Sequence, residues 1–213
     1  MTAVILAGGD IEVTSQLRKL VEAADLVIAA DSGLRHAKPL GLTPNLIVGD
    51  FDSVSDEDLK TYSHIPKERH PVQKNNLDLE LALERATARS PKRILLVGTL
   101  GGRFDQSLAA VFIAAKHANN AQVSLHSGFE DLYILQSKTT KRLETIPKQR
   151  FSLLSLCQAA MVSISGAQYT LEKKLLDFGV GLGVSNETLE PELVVTVHDG
   201  LVALILEHGE SAA

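Results

Sequence analysis

This chain has one cysteine, no tryptophan and two methionines in 213 residues, and aromatic residues make up only 4% of it. The single thiol, Cys157, rules out an internal disulfide and a cysteine zinc cluster; in the apolar run Phe151 to Cys157 it reads as a small buried hydrophobe. Such sparing use of cysteine points to a reducing compartment, the cytoplasm by default. No apolar run approaches a membrane span, and the opening Met1 to Gly9 lacks the basic start and long apolar stretch of a secretory leader. Basic excess is missing too. Lys and Arg number 21 against 26 Asp and Glu, a net charge of −5, which excludes a strongly basic nucleic-acid binder. The seven histidines form no His-Glu-x-x-His pattern, and there is no Gly-x-Ser-x-Gly elbow, Walker loop or Gly-x-Gly-x-x-Gly after a strand.

What is present is an aliphatic core former, 45% apolar, long enough for one large or two small domains. Up to about residue 125, apolar runs alternate with segments of helical spacing. Strands are expected at Ala3 to Ala7, Leu26 to Ala30, Leu46 to Val48, Ile94 to Val97 and Val123 to Leu125. Helices are expected at Ser15 to Ala23, Gly33 to Leu40, Asp56 to Tyr62, Leu77 to Ala88 and Asp105 to Ala118. That alternation predicts a doubly wound α/β domain with a mostly parallel, Rossmann-like sheet.

Beyond about residue 128 the period changes to two, in runs at Leu132 to Leu135, Arg142 to Ile146, Phe151 to Cys157, Met161 to Ile164, Leu193 to Val197 and Leu201 to Leu206. This reads as antiparallel β, with Asp199-Gly200 predicting a hairpin between the last two runs. The boundary is set at Ser127-Gly128, giving domains 1–127 and 128–213. Residues 1–125 carry 14 basic and 15 acidic side chains, so most of the acidic excess belongs to the β half.

Carboxylates and glycines gather where the predicted strands of the first half end, the edge at which open α/β sheets bind ligands. Asp31-Ser32-Gly33 follows one strand, Gly49-Asp50-Phe51-Asp52-Ser53 another, and Gly98 to Gln106 a third. Asp50 and Asp52, two apart, face one way in an extended segment and suit a hard cation such as Mg²⁺; the plain alternative is that Asp52, Ser53 or Ser55 caps the helix near Asp56. Gly101-Gly102-Arg103 before a helix offers backbone N–H groups and a guanidinium to an anion, or is simply a tight turn. Asn76 suits an N-cap and Asp78 a first helical turn; with Asp50 and Asp52, Asp78 completes a carboxylate set, and Lys74 can meet a phosphate. Gly179-Val-Gly-Leu-Gly183, in the β half, reads as a glycine-rich bend.

Taken together these segments resemble the thiamine pyrophosphokinase family over nearly the whole chain. The likeness is carried by Ala30-Asp31-Ser32-Gly33, by Pro44-Asn45-Leu46-Ile47-Val48-Gly49-Asp50-Phe51-Asp52-Ser53, and by Leu100-Gly101-Gly102-Arg103-Phe104-Asp105-Gln106. Gly166-Ala167-Gln168-Tyr169-Thr170-Leu171 and Ser185-Asn186-Glu187 continue it in the second half. Where the family usually has Asp-x-Thr-Asp, this chain has Asn75-Asn76-Leu77-Asp78.

The resemblance implies transfer of the terminal pyrophosphate of ATP to the hydroxyl of thiamine, giving thiamine diphosphate and AMP. It also implies an α/β ATP- and Mg²⁺-binding catalytic domain, a β-sandwich thiamine-binding domain, and a homodimer with the site near the subunit interface. By the same resemblance Asp50, Asp52 and Asp78 hold Mg²⁺ and serve catalysis, and Asp31, Lys74, Arg103, Asp105 and Gln106 line the ATP and phosphate region. Ser185 and Asn186 contact thiamine. Two alternatives stay open from the residues: a pyrophosphokinase for another small alcohol, such as a hydroxymethylpterin, and a non-catalytic thiamine or nucleotide binder.

Overall fold

The computed structural model describes residues 1–70 and 77–208. Lys74, Asn75 and Asn76 lie outside these residues. The chain divides into two compact units, Met1–Gly128 and Phe129–Ala213. Among the described residues no helix is long and apolar enough to cross a membrane.

The described residues of the first unit form six strands: β1 (Thr2–Leu6), β2 (Leu26–Ala30), β3 (Leu46–Gly49), β4 (Lys67–Arg69), β5 (Arg93–Val97) and β6 (Gln122–His126). Every pairing among them is parallel, in the order β6-β5-β1-β2-β3-β4. β1, β2 and β5 are almost wholly apolar because helices cover both faces of such a sheet. Those helices are α1 (Ser15–Glu22), α2 (Ala37–Leu40), α3 (Asp56–Thr61), α4 (Asp78–Thr87) and α5 (Phe104–His117). One core cluster joins Val4, Leu6, Val27, Ala29, Leu95 and Val97 of the strands to Leu17 and Val21 of α1.

Strand order decides where a ligand fits. From β1 the chain runs outward through β2, β3 and β4, then returns to β5 on the other side of β1 and continues to β6. The carboxyl ends of β1 and β5 therefore flank the point where the winding reverses, the crevice that open α/β sheets use for binding.

Local chemistry sets the helix ends. The Thr14 hydroxyl accepts from Leu17 N–H at 3.0 Å to start α1, and Ser55 Oγ accepts from Asp58 N–H at 3.1 Å to start α3. Ser55 is thus the cap that the sequence left unresolved among three residues. For α4 the N-cap position is Leu77 rather than Asn76; leucine has no acceptor, and Glu80 relieves this end by accepting from Leu77 N–H at 3.0 Å.

The helix expected over Gly33 to Leu40 is instead a 3₁₀ segment, Asp31–His36, followed by the single turn α2. Pro39 has no N–H to bond back to Arg35, which shortens the regular α segment. Gly33 is pressed on β1 so closely that a Cβ there would lie 2.1 Å from the Leu6 carbonyl oxygen.

The second unit has two antiparallel sheets. β7 (Glu130–Gln136), β9 (Arg150–Ser155), β12 (Asn186–Glu187) and β14 (Leu201–Glu207) pair in the order β12-β9-β14-β7. β8 (Thr139–Glu144), β10 (Ala159–Ser165), β11 (Leu171–Asp177) and β13 (Glu192–Asp199) pair in the order β11-β10-β13-β8. Phe151, Leu153, Val202 and Leu204 from one sheet and Val162, Ile164, Val195 and Val197 from the other share one core.

The hairpin expected at Asp199-Gly200 does not form. β13 pairs with β10 and β8 while β14 pairs with β9 and β7, so this dipeptide is a corner carrying the chain from one sheet to the other. Alternation on both flanking strands is satisfied equally by a shared core as by a shared ladder. Gly200, at φ +96°, crosses so near β10 that a Cβ would sit 2.8 Å from the Ala160 Cα. The Gly179 to Gly183 segment is a turn-rich bend; Gly183 abuts β9, its carbonyl accepting from Leu153 N–H at 2.8 Å.

Candidate active site

The acid-rich edge of the first unit is assembled by two strand ends, those of β2 and β3. Asp31 opens the 3₁₀ segment after β2 at φ +46°, and Phe51, between Asp50 and Asp52, has φ +66°. Positive φ is unfavourable for side chains of this kind and persists where surrounding bonds enforce it. Those bonds are present: Asp31 Oδ1 accepts from Phe51 N–H at 3.2 Å, Asp31 Oδ2 accepts from the Ser53 hydroxyl, and Asp50 Oδ1 accepts from Asp52 N–H at 3.1 Å. Gly49 permits the approach, since a Cβ there would stand 3.0 Å from the Asp31 Cβ. The Phe51 ring is buried, with the Arg69 guanidinium 5.3 Å from its centroid.

One carboxylate oxygen from each of Asp31, Asp50 and Asp52 lies within 4.8 Å of the other two. Like charges at this spacing oppose ionisation. The Asp52 carboxyl is held above its ordinary range by hydrogen bonding to the Asp50 side chain and by the charge of Asp50, with Asp31 and Asp78 adding to the effect. Oxygen-only donors under mutual repulsion fit a hard divalent cation, which takes carboxylate oxygens and relieves the repulsion. Asp31 is thus part of the carboxylate cluster as well as an edge of the adjoining cavity.

That cavity has a volume of about 200 Å³ and opens at the carboxyl ends of β1 and β5. Gly8 and Gly9 follow β1, Gly98, Thr99 and Gly101 follow β5, and Asp31, Asp78 and Gln106 reach it from the 3₁₀ segment, α4 and α5. Two of its glycines are steric necessities. A Cβ on Gly9 would lie 2.6 Å from the Gly98 carbonyl oxygen, and one on Gly98 would lie 2.3 Å from that of Ala7. Arg35 and His36 fix the Gly8-Gly9 loop: Arg35 donates to the Gly8 carbonyl at 2.6 Å and His36 Nε2 to that of Gly9 at 2.8 Å. Burial lowers the His36 pKa and favours the neutral ring.

The sequence-predicted residues are therefore not all in one place. Asp31, Asp50 and Asp52 converge, and Asp78 and Gln106 share the cavity with Asp31. Arg103 and Asp105 hold each other, through contacts of 2.6 and 3.1 Å, on an exposed turn; Arg103 keeps the Asp105 carboxyl below the ordinary range. Lys74 lies outside the described residues.

Ser185 and Asn186 belong to the second unit. Asn186 is buried, its amide accepting from Tyr169 and Glu187 N–H groups at 3.1 and 2.9 Å and donating to the Tyr169 carbonyl at 2.8 Å. Gly8, Gly9 and Thr99 were not singled out as site residues by the sequence. For the two glycines, a Gly-Gly pair directly after the first strand was the signal available.

A family model for the thiamin pyrophosphokinase catalytic domain matches residues 17–125, and one for the thiamin pyrophosphokinase vitamin B1 binding domain matches residues 138–202. The chain belongs to the thiamin pyrophosphokinase family. Thiamine pyrophosphokinase of Bacillus subtilis (strain 168) is 24% identical over 205 residues, spanning 94% of this chain and 96% of that one. The crystal structure of the Bacillus subtilis thiamine pyrophosphokinase superposes with a TM-score of 0.84 at 22% identity, covering 98% and 100% of the two chains. Thiamin pyrophosphokinase from Candida albicans superposes at 0.80 with 15% identity, covering 97% and 90%. Similarity to this family thus covers both units.

Proposed function

We propose that this chain transfers the terminal pyrophosphate of ATP to the hydroxyl of thiamine, forming thiamine diphosphate and AMP, in the cytoplasm and with Mg²⁺. The observation carrying this reading is the convergence of Asp31, Asp50 and Asp52 beside a cavity at the winding reversal of a parallel sheet, in a chain of this family. Asp50, Asp52 and Asp78 would hold the cation, with Asp31 closing the set. Bound there, Mg²⁺ supplies charge neutralisation for the polyphosphate.

The rest is positioning by the protein. The Gly8-Gly9 and Gly98 backbones let the nucleotide approach closely, Gln106 contacts it, and Arg103 and Lys74 meet the phosphates, Asp105 presenting the Arg103 fork in one orientation. Residues 1–127 form the Rossmann-like catalytic domain, and 128–213 a β-sandwich that binds thiamine through Ser185. Asn186, engaged with the Tyr169 backbone, holds that loop in shape for the vitamin. A homodimer is supported by Phe178, Val180, Leu182 and Val184, apolar side chains exposed in the second unit.

Incubating the purified protein with thiamine, ATP and Mg²⁺ should yield AMP and thiamine diphosphate in equal amounts by chromatography. ADP in place of AMP would refute pyrophosphoryl transfer.

A further inference from the structure

Among the described residues, one buried side-chain polar atom has no hydrogen-bond partner, the Thr99 hydroxyl. Thr99 is 7% exposed and lines the cavity between the ends of β1 and β5. A buried hydroxyl without a partner costs stability, and valine fills the same space without that cost. Backbone geometry does not call for threonine either, because the left-handed conformations of this turn fall on Gly98, Gly101 and Gly102, at φ +75°, +84° and +75°. An unpaired group kept in a cavity wall therefore calls for a partner that arrives from outside the fold.

We infer that Thr99 is a specificity-determining contact for the nucleotide, its hydroxyl pairing with a polar atom of ATP. A turn of about 120° about χ1 carries the hydroxyl to another staggered position on Cβ, so this cavity-lining side chain has other rotamers in which to offer it to a ligand. A hydroxyl both donates and accepts, which suits the acceptors and hydroxyls of a nucleotide. Thiamine is the weaker assignment, because the vitamin B1 binding match lies at residues 138–202 of the other unit. The inference rests on reading this cavity as the nucleotide site.

The test compares wild type, Thr99→Val and Thr99→Ser as full-length proteins, by calorimetric titration with a non-hydrolysable ATP analogue and Mg²⁺, by steady-state kinetics and by thermal melting. Thr99→Val should raise the ligand-free Tm by about 2–4 °C. It should weaken analogue binding and raise KM for ATP about tenfold, with KM for thiamine within about twofold of wild type. Thr99→Ser, which keeps the hydroxyl, should bind within about twofold of wild type. Unchanged analogue binding in Thr99→Val, a lowered ligand-free Tm, or a change confined to thiamine would overturn the role of Thr99. A wild type that binds no analogue would overturn the nucleotide reading itself, and this inference with it.

Discussion

Asp52 pairs a functional reading with a cost in stability. Its folded pKa is raised, so its contribution favours the fold at pH below the ordinary carboxylate value and is lost as pH rises through the folded value. Without divalent cations, the melting temperature of wild type relative to Asp52→Asn should therefore fall as pH rises through that window, and Mg²⁺ should restore it at neutral pH. Asp52→Asn should raise the cation-free Tm at pH 7, abolish the Mg²⁺ response and cut turnover by roughly 10²–10³-fold or more; Asp50→Asn should cut turnover to the same degree. Either variant at full activity would remove these two from the site. Carboxylates at strand ends were legible in the sequence because Asp50 and Asp52 share a short motif. Thr99 was not, since what distinguishes it is a missing partner, a property of the packed interior.

Among the elements, apolar runs revealed the interior strands, while the edge strands β4 and β11 escaped notice. β4 is Lys67-Glu68-Arg69 and β11 keeps only Leu176 in the core, because an edge strand with polar side chains has no buried face to advertise. β4 nevertheless braces the acidic loop. His70 N–H donates to the Gly49 carbonyl at 2.9 Å, and Glu68 accepts from Arg85 of α4, with Arg85 Nε 2.9 Å from Oε2. Arg85 holds the Glu68 carboxyl down at about 2, against an ordinary 4.5. The stability this pair supplies is complete above pH 4.5 and lost as pH falls towards about 2. Glu68→Gln should lower Tm by a few degrees at pH 7 and flatten the acid limb of a Tm-against-pH curve across that window. A parallel displacement of the whole curve would contradict the ion-pair account.

For the whole molecule, period-two patterning showed that the second half was β, yet could not tell which strands share a sheet, because Asp199-Gly200 served a corner and not a hairpin. Phe178, 66% exposed, and Leu182 bear on assembly. Light scattering should give the mass of two chains at micromolar protein, and Phe178→Asp combined with Leu182→Asp the mass of one; an unchanged dimer would place the interface elsewhere. The corner also sets an order of events during synthesis. Among the described residues β13 and β14 are the last two strands, and each is an interior strand of its sheet, between β10 and β8 and between β9 and β7. One sheet of the second unit lacks its full set of neighbours until Asp199 has been made and the other until Glu207, whereas the parallel sheet has its six described strands by His126, about 80 residues before Glu207. At about 5–20 residues per second, the ribosome gives the first unit a head start of roughly 4–16 s, in which it can fold while the strands of the second still wait for their centres.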